Sequence, residues 1–584
     1  MYVMRIVKLT IFFLYFCSFT NIWAQLSTNE KPVSFGKEAE MRLSRKNGRS
    51  SVTMPPLDRA KIKRIDAVKK DFQKPVPFGY IHEVNYNLTN SGTWYELSNG
   101  DKLWQLNVIC PDAKSIHFCY NKFWIPEGGK LFVYSKDKKQ ILGAFTSKNN
   151  KGSRDHLRGF ATGLVYSSSV VLEYYQPKDV TTEAIISIEY VVHGYKLLSV
   201  DCGFNKSDSC QVNINCNDGY YWKGEKRAVS RIIFNKDNPI KHAIYCTGSL
   251  VSTSNPQGEP FLLTAGHCLP EGKDANWQFE AYDNIMDDAL FYWHYEMPSC
   301  DRDTIEPPLY STTGAIIVAN NQYDTDFALL RLTEDPKELS NYIPYYLGWD
   351  NSGQSGGAGV CIHHPMGDVK KISIVDASKG ILSTSYNDSI EDYIGNHWRV
   401  KWTLAEHGYG RTEPGSSGSP LFNASHKVIG QLHGGDTIHI ANYQISDWFS
   451  KFSVNWNGGS NNTNYRRLDC WLDSLGTNNV TMEGLLYVSK TSSITDNECI
   501  YGNILITRTG QLTIQSDIEQ GVNGTLIVES GGILIIDGGK LTNANVDLKP
   551  GATLRIINNG TIETRSGFKA PVGAKVDIKH GKIL

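Results

Sequence analysis

Net charge is the first thing this chain lacks. Its 584 residues hold 59 Lys and Arg against 60 Asp and Glu, a formal net charge of −1. That leaves no electrostatic case for binding nucleic acid or an anionic membrane surface. Beyond the N-terminus no stretch approaches eighteen apolar residues, so no further membrane span is expected. No Cys-x-x-Cys pair and no histidine cluster has zinc spacing, so neither a metal nor an organic cofactor is expected.

The N-terminus does carry a signal. Arg5 and Lys8 precede the apolar run Leu9 to Phe19, and small-residue spacing ends near Ala24. This reads as a secretory signal peptide over 1–24, the competing reading being an uncleaved anchor. There are twelve cysteines, and Cys17 leaves with the signal. In an exported protein most of the remaining eleven should pair, with at least one thiol left over. The length calls for several domains.

Residues 25–75 are Lys/Arg-rich with little periodicity and read as the flexible start of a pro-segment spanning 25–206. From about 76, apolar and polar residues alternate in Leu103-Trp104-Gln105-Leu106-Asn107-Val108-Ile109, in Lys130 to Tyr134 and in Val170 to Tyr174. Alternation broken by Gly, Pro and Asn predicts antiparallel strands, here a β-sandwich, with Cys110 and Cys119 as candidates for a bridge. From 485 to 584 short strands such as Thr525 to Val528, Ile533 to Ile536 and Ala552 to Ile557 alternate with Gly-rich turns. They predict a β-solenoid or a small sandwich. This tail has no catalytic arrangement; spacing, cell-surface association, binding and simple stability are its expected roles.

The chemistry lies between, in 207–475. In Gly415-Ser416-Ser417-Gly418-Ser419-Pro420-Leu421, a glycine two residues before a serine lets two N–H groups, of Gly415 and Ser417, point into one small hole for a developing oxyanion. Ser417 needs a base to become a nucleophile. The apolar run Phe261 to Ala265 delivers His267 beside Cys268. In Asp324-Thr325-Asp326-Phe327 a carboxylate opens another apolar strand. Asp326, rather than Asp324, adjoins that strand directly and can accept from His267 Nδ1, fixing its tautomer.

The order His, Asp, Ser in these contexts resembles the trypsin-like (chymotrypsin-fold) serine proteases, and the match is closer to the bacterial lysyl endopeptidases of that superfamily. The resembling runs are Cys210 to Cys216, Cys246-Thr247-Gly248-Ser249-Leu250, Ile362-His363-His364-Pro365, Thr412 to Pro420 and Gly430-Gln431-Leu432-His433-Gly434-Gly435. The resemblance implies an all-β chain with two six-stranded barrels and the triad His267, Asp326 and Ser417 in the cleft between them. It implies a secreted or cell-surface bacterial serine endopeptidase whose partners are protein or peptide substrates and its own pro-domain. Disulfides Cys216–Cys300 and Cys246–Cys268 are implied as well. Cys210, which lacks its family partner, is left to pair with Cys202 or Cys470 or to stay free.

The position six residues before the nucleophile, acidic in trypsin, holds Arg411. By resemblance the pocket carboxylate comes later in the chain: counting back from Trp456, it is Asp447. His433 and Gly434 would line the same pocket; the family's histidine stacks with a tryptophan, and no tryptophan here matches that partner, the segment Tyr386 to Tyr393 offering only tyrosines. Cleavage after lysine is the leading expectation. The alternatives are Arg/Lys preference, an acidic side chain met by Arg411 and His433, and an inactive protease-fold binding or adhesion protein. Before the nucleophile, where animal trypsins hold the aspartate that pairs with a freed N-terminus, stands Ser416. That ion pair cannot form there, so activation is expected to mean removal of the pro-domain, with Lys206 as a cleavage point.

Overall fold

The structure is a computed structural model. It describes residues 27–584 apart from 29, 38–49, 68–74, 197–206, 238–239, 272–284, 301–306, 308–309, 323, 341, 387–394, 436–445 and 459–462. The expected signal peptide, Cys202 and Lys206 lie outside the described residues. Among the described residues no helix is long and apolar enough to cross a membrane.

The fold is mostly β, as the alternating runs predict. In the N-terminal part, a six-stranded sheet is built around Lys102–Ile109, Ser169–Gln176 and Lys130–Ser135. It faces a second layer of Val76–Asn87, Ile185–Gly194, Ser115–Trp124 and Arg158–Ala161. Trp104, Leu106 and Val108 from the first sheet pack with Phe118, Tyr120 and Ile188 from the second. The intervening Gln105 turns to the opposite face, where it donates to the buried Glu173 at 2.8 Å. This is the sandwich that strict alternation encodes.

Two expectations are corrected here. The polar stretch before residue 76 is not simply loose: Ser51–Thr53 pairs in parallel with Asn107 to Ile109, and Arg59–Ala67 is helical. Cys110 and Cys119 do not bridge. Phe118 and Tyr120 point into the sandwich core with Cys110, so Cys119 between them faces the other way, beside Val76 and Tyr245.

The first barrel closes on itself through six strands: Val229–Lys236, Ile285–Trp293, Tyr310–Asn321, Phe327–Leu332, Phe261–Ala265 and His242–Leu250, the last pairing back to the first. The second follows a path through Lys371–Val375, Gly359–His363, Pro420–Asn423, Val428–Gly435, Ser446–Lys451, His397–Lys401 and Ile381–Thr384. Both flanking parts join this body by backbone pairing. Val76 to Tyr80 pair with Tyr245 to His242, which makes the sandwich continuous with the first barrel. Tyr345 and Tyr346 pair with Leu486 and Leu485, the start of the C-terminal region.

That region is a parallel β-solenoid, not a sandwich. Two five-stranded sheets and a third of four strands, the last extended by the antiparallel Tyr345–Tyr346, each climb by one strand per coil. Their in-register pairing stacks Leu512, Leu534 and Leu554 in one inward ladder, and Ile514, Ile536 and Ile556 in another. Each coil buries its apolar face only against the next, as in other solenoids.

Candidate active site

The pairing of Phe261–Ala265 with Phe327–Leu332 decides where the first two residues meet. Ala265 lies opposite Phe327, so the residues just beyond the strand ends face each other. Gly266 N–H donates to the Asp326 carbonyl at 2.7 Å, and His267 N–H to Asp326 Oδ1 at 2.7 Å. The His267 ring then presents Nδ1 to Asp326 Oδ2 at 2.6 Å. Asp326 is 1% exposed and holds a left-handed φ of 53°, a conformation uncommon for a non-glycine residue. The Cys246–Cys268 disulfide anchors the next residue of the His267 turn to strand His242–Leu250. Cys216–Cys300 is also present.

Ser417 comes from the second barrel, on the turn before Pro420–Asn423. Gly415 at φ 95° and Gly418 at φ 84° make that turn. A Cβ on Gly418 would fall 2.4 Å from the Thr247 carbonyl, so only glycine lets the turn reach the first barrel. There Thr247 N–H donates to the Ser417 carbonyl at 2.9 Å and Thr247 Oγ1 to the Gly415 carbonyl at 2.9 Å. These contacts explain Thr247 in the Cys246-Thr247-Gly248 run. Ser417 Oγ ends 2.9 Å from His267 Nε2. The N–H groups of Gly415 and Ser417 donate to no protein acceptor among the described residues. Asp324 is not part of this group; its Oδ2 accepts from Asn321 at 3.2 Å.

Asp447, on Ser446–Lys451, is 1% exposed. Its Oδ2 accepts from the Trp402 indole N–H and from Thr412 N–H, the latter at 3.3 Å. Gly435 sits opposite it, and a Cβ there would collide with Asp447 Oδ1. Gly434 is opposite Trp448. Arg411 is turned to other work: its Nη2 pairs with Asp208 at 2.6 Å and lies 3.6 Å from Glu413.

His433 is drawn to Asp326 rather than left at a distance from it. Its Nε2 lies 3.7 Å from Asp326 Oδ2, and its Nδ1 lies 3.0 Å from His397 Nε2. Burial pushes His433 down to about 4, against the pull of Asp326, and pushes His397 down to about 3. Both rings are neutral at pH 7. Tyr386 stacks on His433.

Sequence reading missed several of these residues. His397 lies in no motif and is brought in by the pairing of His397–Lys401 with Ser446–Lys451. His363 was legible only as part of a family run, yet it props the turn that carries Ser417. Its Nδ1 lies 2.8 Å from Ser416 Oγ and its Nε2 lies 2.9 Å from Ser373 Oγ. Cys210 and Cys470 are not bonded to each other; both are unbridged among the described residues.

Comparison with known proteins agrees with the resemblance read from the sequence. Residues 204–450 match the family described as lysyl endopeptidase, C-terminal domain. A lysyl endopeptidase of Pseudomonas aeruginosa is 28% identical over 262 residues, which is 43% of this chain and 51% of the relative. The chain thus spans about half the length of that curated relative. Among solved structures, a thermostable serine protease AL20 from an extremophilic microorganism is 12% identical, covering 39% of this chain and 92% of that one, with a TM-score of 0.25. The HtrA-type protease AlgW with a decapeptide is 15% identical, covering 40% and 64%, with a TM-score of 0.24.

Proposed function

We propose, on the premise of a lysyl endopeptidase-type domain over 204–450, that the chain is a secreted serine endopeptidase, made as a precursor, that cuts after lysine. The observation that carries this reading is the line Ser417 Oγ, His267 Nε2, His267 Nδ1, Asp326 Oδ2, with separations of 2.9 and 2.6 Å across its two contacts.

Ser417 Oγ attacks the scissile carbonyl while His267 Nε2 takes its proton. Asp326, buried and also bound to the His267 N–H, holds the ring in the tautomer that leaves Nε2 free to accept, and stabilises the imidazolium that forms. The N–H groups of Gly415 and Ser417 receive the oxyanion; one such donor is worth about 10²–10³ in rate. His267 returns the proton to the leaving amine, then activates water to hydrolyse the acyl-enzyme.

Selection for lysine rests on Asp447. A buried ammonium needs a fixed anion, because desolvating it alone costs several kcal/mol. Asp447 is a buried carboxylate whose orientation is set by Trp402 and Thr412. An acidic substrate side chain would need the charge of Arg411, which Asp208 and Glu413 already engage. The sandwich, continuous with the first barrel through Val76 to Tyr80, suits a pro-domain that supports folding of that barrel.

Digesting a denatured protein with the purified mature enzyme and sequencing the new ends tests the reading, with Ser417→Ala as control. Cuts after lysine that vanish in the control are expected. Cuts after Glu or Asp would sink the role of Asp447, and no cuts from a processed chain would turn the reading to a binding protein.

A further inference from the structure

The site before the nucleophile holds no carboxylate, and the Ser416 hydroxyl that replaces it sits against His363. A carboxylate does, however, meet the expected start of the mature chain from another direction. Ser207 is 6% exposed. Its N–H donates to Asp368 Oδ2 at 3.3 Å and its hydroxyl donates to the same oxygen at 2.6 Å. Asp368 is itself buried, and its Oδ1 accepts from Val369 N–H at 2.8 Å. The next residue repeats the arrangement: Asp208 N–H reaches both oxygens of Glu413 at 3.2 Å.

We propose that Asp368 is the receptor carboxylate for a Ser207 α-ammonium released by cutting after Lys206, and that this ion pair holds the turn on which the oxyanion loop rests. The proposal depends on the endopeptidase reading above. Hydrolysis adds water across the Lys206–Ser207 bond: Lys206 keeps a carboxylate, and the Ser207 amine takes up a proton. A neutral amide donor to Asp368 thereby becomes a cationic one, and a charge-assisted bond in a buried place is roughly twice as strong.

The link to the oxyanion loop is short. Asp368 ends the turn Pro365–Gly367, where Met366 and Gly367 both hold left-handed φ values of 55° and 71°. Met366 N–H donates to the Pro414 carbonyl at 2.6 Å. A Cβ on Gly415 would lie 2.9 Å from Gly367 N and 3.1 Å from the His364 carbonyl, so the two backbones are in contact. On the other side of the turn, Arg231 Nη1 donates to the Gly367 carbonyl at 3.1 Å. Moving Asp368 moves the surface that sets the direction of the Gly415 N–H. Asp368 is thus a positioning residue.

Ser207 contacts Asp368, whose carbonyl meets His364 Nδ1, and Asp368, Asp208 and Arg411 all act on Glu413 of the nucleophile loop. Glu413 is pushed up to about 7 by burial, so it titrates on the acid side of the ammonium. An α-ammonium ordinarily loses its proton near pH 8, and a buried carboxylate partner raises that value. The pair is therefore intact below the raised pKa and lost as pH climbs through it.

The test uses the full chain as wild type, Asp368→Asn and Lys206→Gln, the last keeping Ser207 as an amide. N-terminal sequencing locates the mature start, and turnover of a lysyl peptide anilide gives kcat and KM between about pH 6 and pH 10. The wild type should begin at Ser207 and lose kcat on the alkaline side. Asp368→Asn and uncut Lys206→Gln should lose about 10-fold or more in kcat, with little change in KM, and should lack that alkaline limb. An uncut Lys206→Gln chain as active as mature wild type overturns the proposal, however well Asp368→Asn folds. So does Asp368→Asn with wild-type kcat and an unchanged alkaline limb, or a fully active mature chain starting elsewhere. A wild type that begins at Ser207 and shows no Ser417-dependent turnover sinks the endopeptidase reading itself.

Discussion

The ring of Tyr386 lies flat on that of His433, with centroids 3.7 Å and planes 9° apart. Nε2 of the same imidazole lies 3.7 Å from the Asp326 oxygen that binds His267. The stack therefore covers a histidine whose charge state bears on the triad.

Removing that cover has a pH signature. Burial is what pushes His433 down to about 4, so it stays neutral across the working range. Tyr386→Ala opens the ring to water, and its pKa rises toward the ordinary 6.5 or so. A protonated His433 then competes with His267 for Asp326. The variant should lose kcat/KM about 2- to 10-fold at neutral pH, from the lost stacking. The acid limb of its profile should move up toward pH 6, while Tyr386→Phe and Tyr386→Trp, which keep the stack, keep the wild-type limb. Steady-state rates against pH check this.

Asp447→Asn keeps the shape of the carboxylate and removes its charge. Breaking a buried ion pair by neutralising one partner costs about 3–5 kcal/mol. The kcat/KM for a lysyl substrate should fall by roughly 10²-fold or more, mostly through KM and acylation. Labelling of Ser417 by a small organophosphonate should be nearly unaffected, because the triad is intact.

Acid should weaken the N-terminal sandwich of the precursor. His117, on Ser115–Trp124, is fully enclosed, with no partner for either ring nitrogen among the described residues, and burial pushes it down to about 3. A histidine depressed in the folded state gives full stability above its unfolded pKa and loses it as pH falls below that. Between the unfolded value near 6.5 and pH 4.5 the loss is about 3 kcal/mol. Thermal melts of the Ser417→Ala precursor at pH 7.5 and 4.5 should show the sandwich weakening in acid, and His117→Leu should flatten that dependence.

Much of the candidate site was legible because its signals are local. Gly415 and Gly418 flank Ser417 because the turn demands positive φ, and Cys268 follows His267 because a bridge anchors that turn. Asp326 opens its strand opposite the end of the antiparallel partner at Ala265, just before His267. Such constraints act within a few residues of the functional atom. The alternating runs likewise specified strands and a sandwich, since period two leaves one face to bury.

What only the tertiary structure decided depends on which strands become neighbours. His397 and Tyr386 reach His433 across the second barrel, and no spacing in the chain encodes that meeting. Cys110 and Cys119 are nine residues apart yet face different cores, because side-chain direction alternates along a strand while the sequence shows only separation. The tail left solenoid and sandwich open, since short apolar runs fit either; parallel stacking of Leu512, Leu534 and Leu554 settles it. Asp368 meets Ser207 for the same reason: 161 residues separate them, and the packing of the start of this segment against the His364–Asp368 turn places carboxylate and nitrogen together.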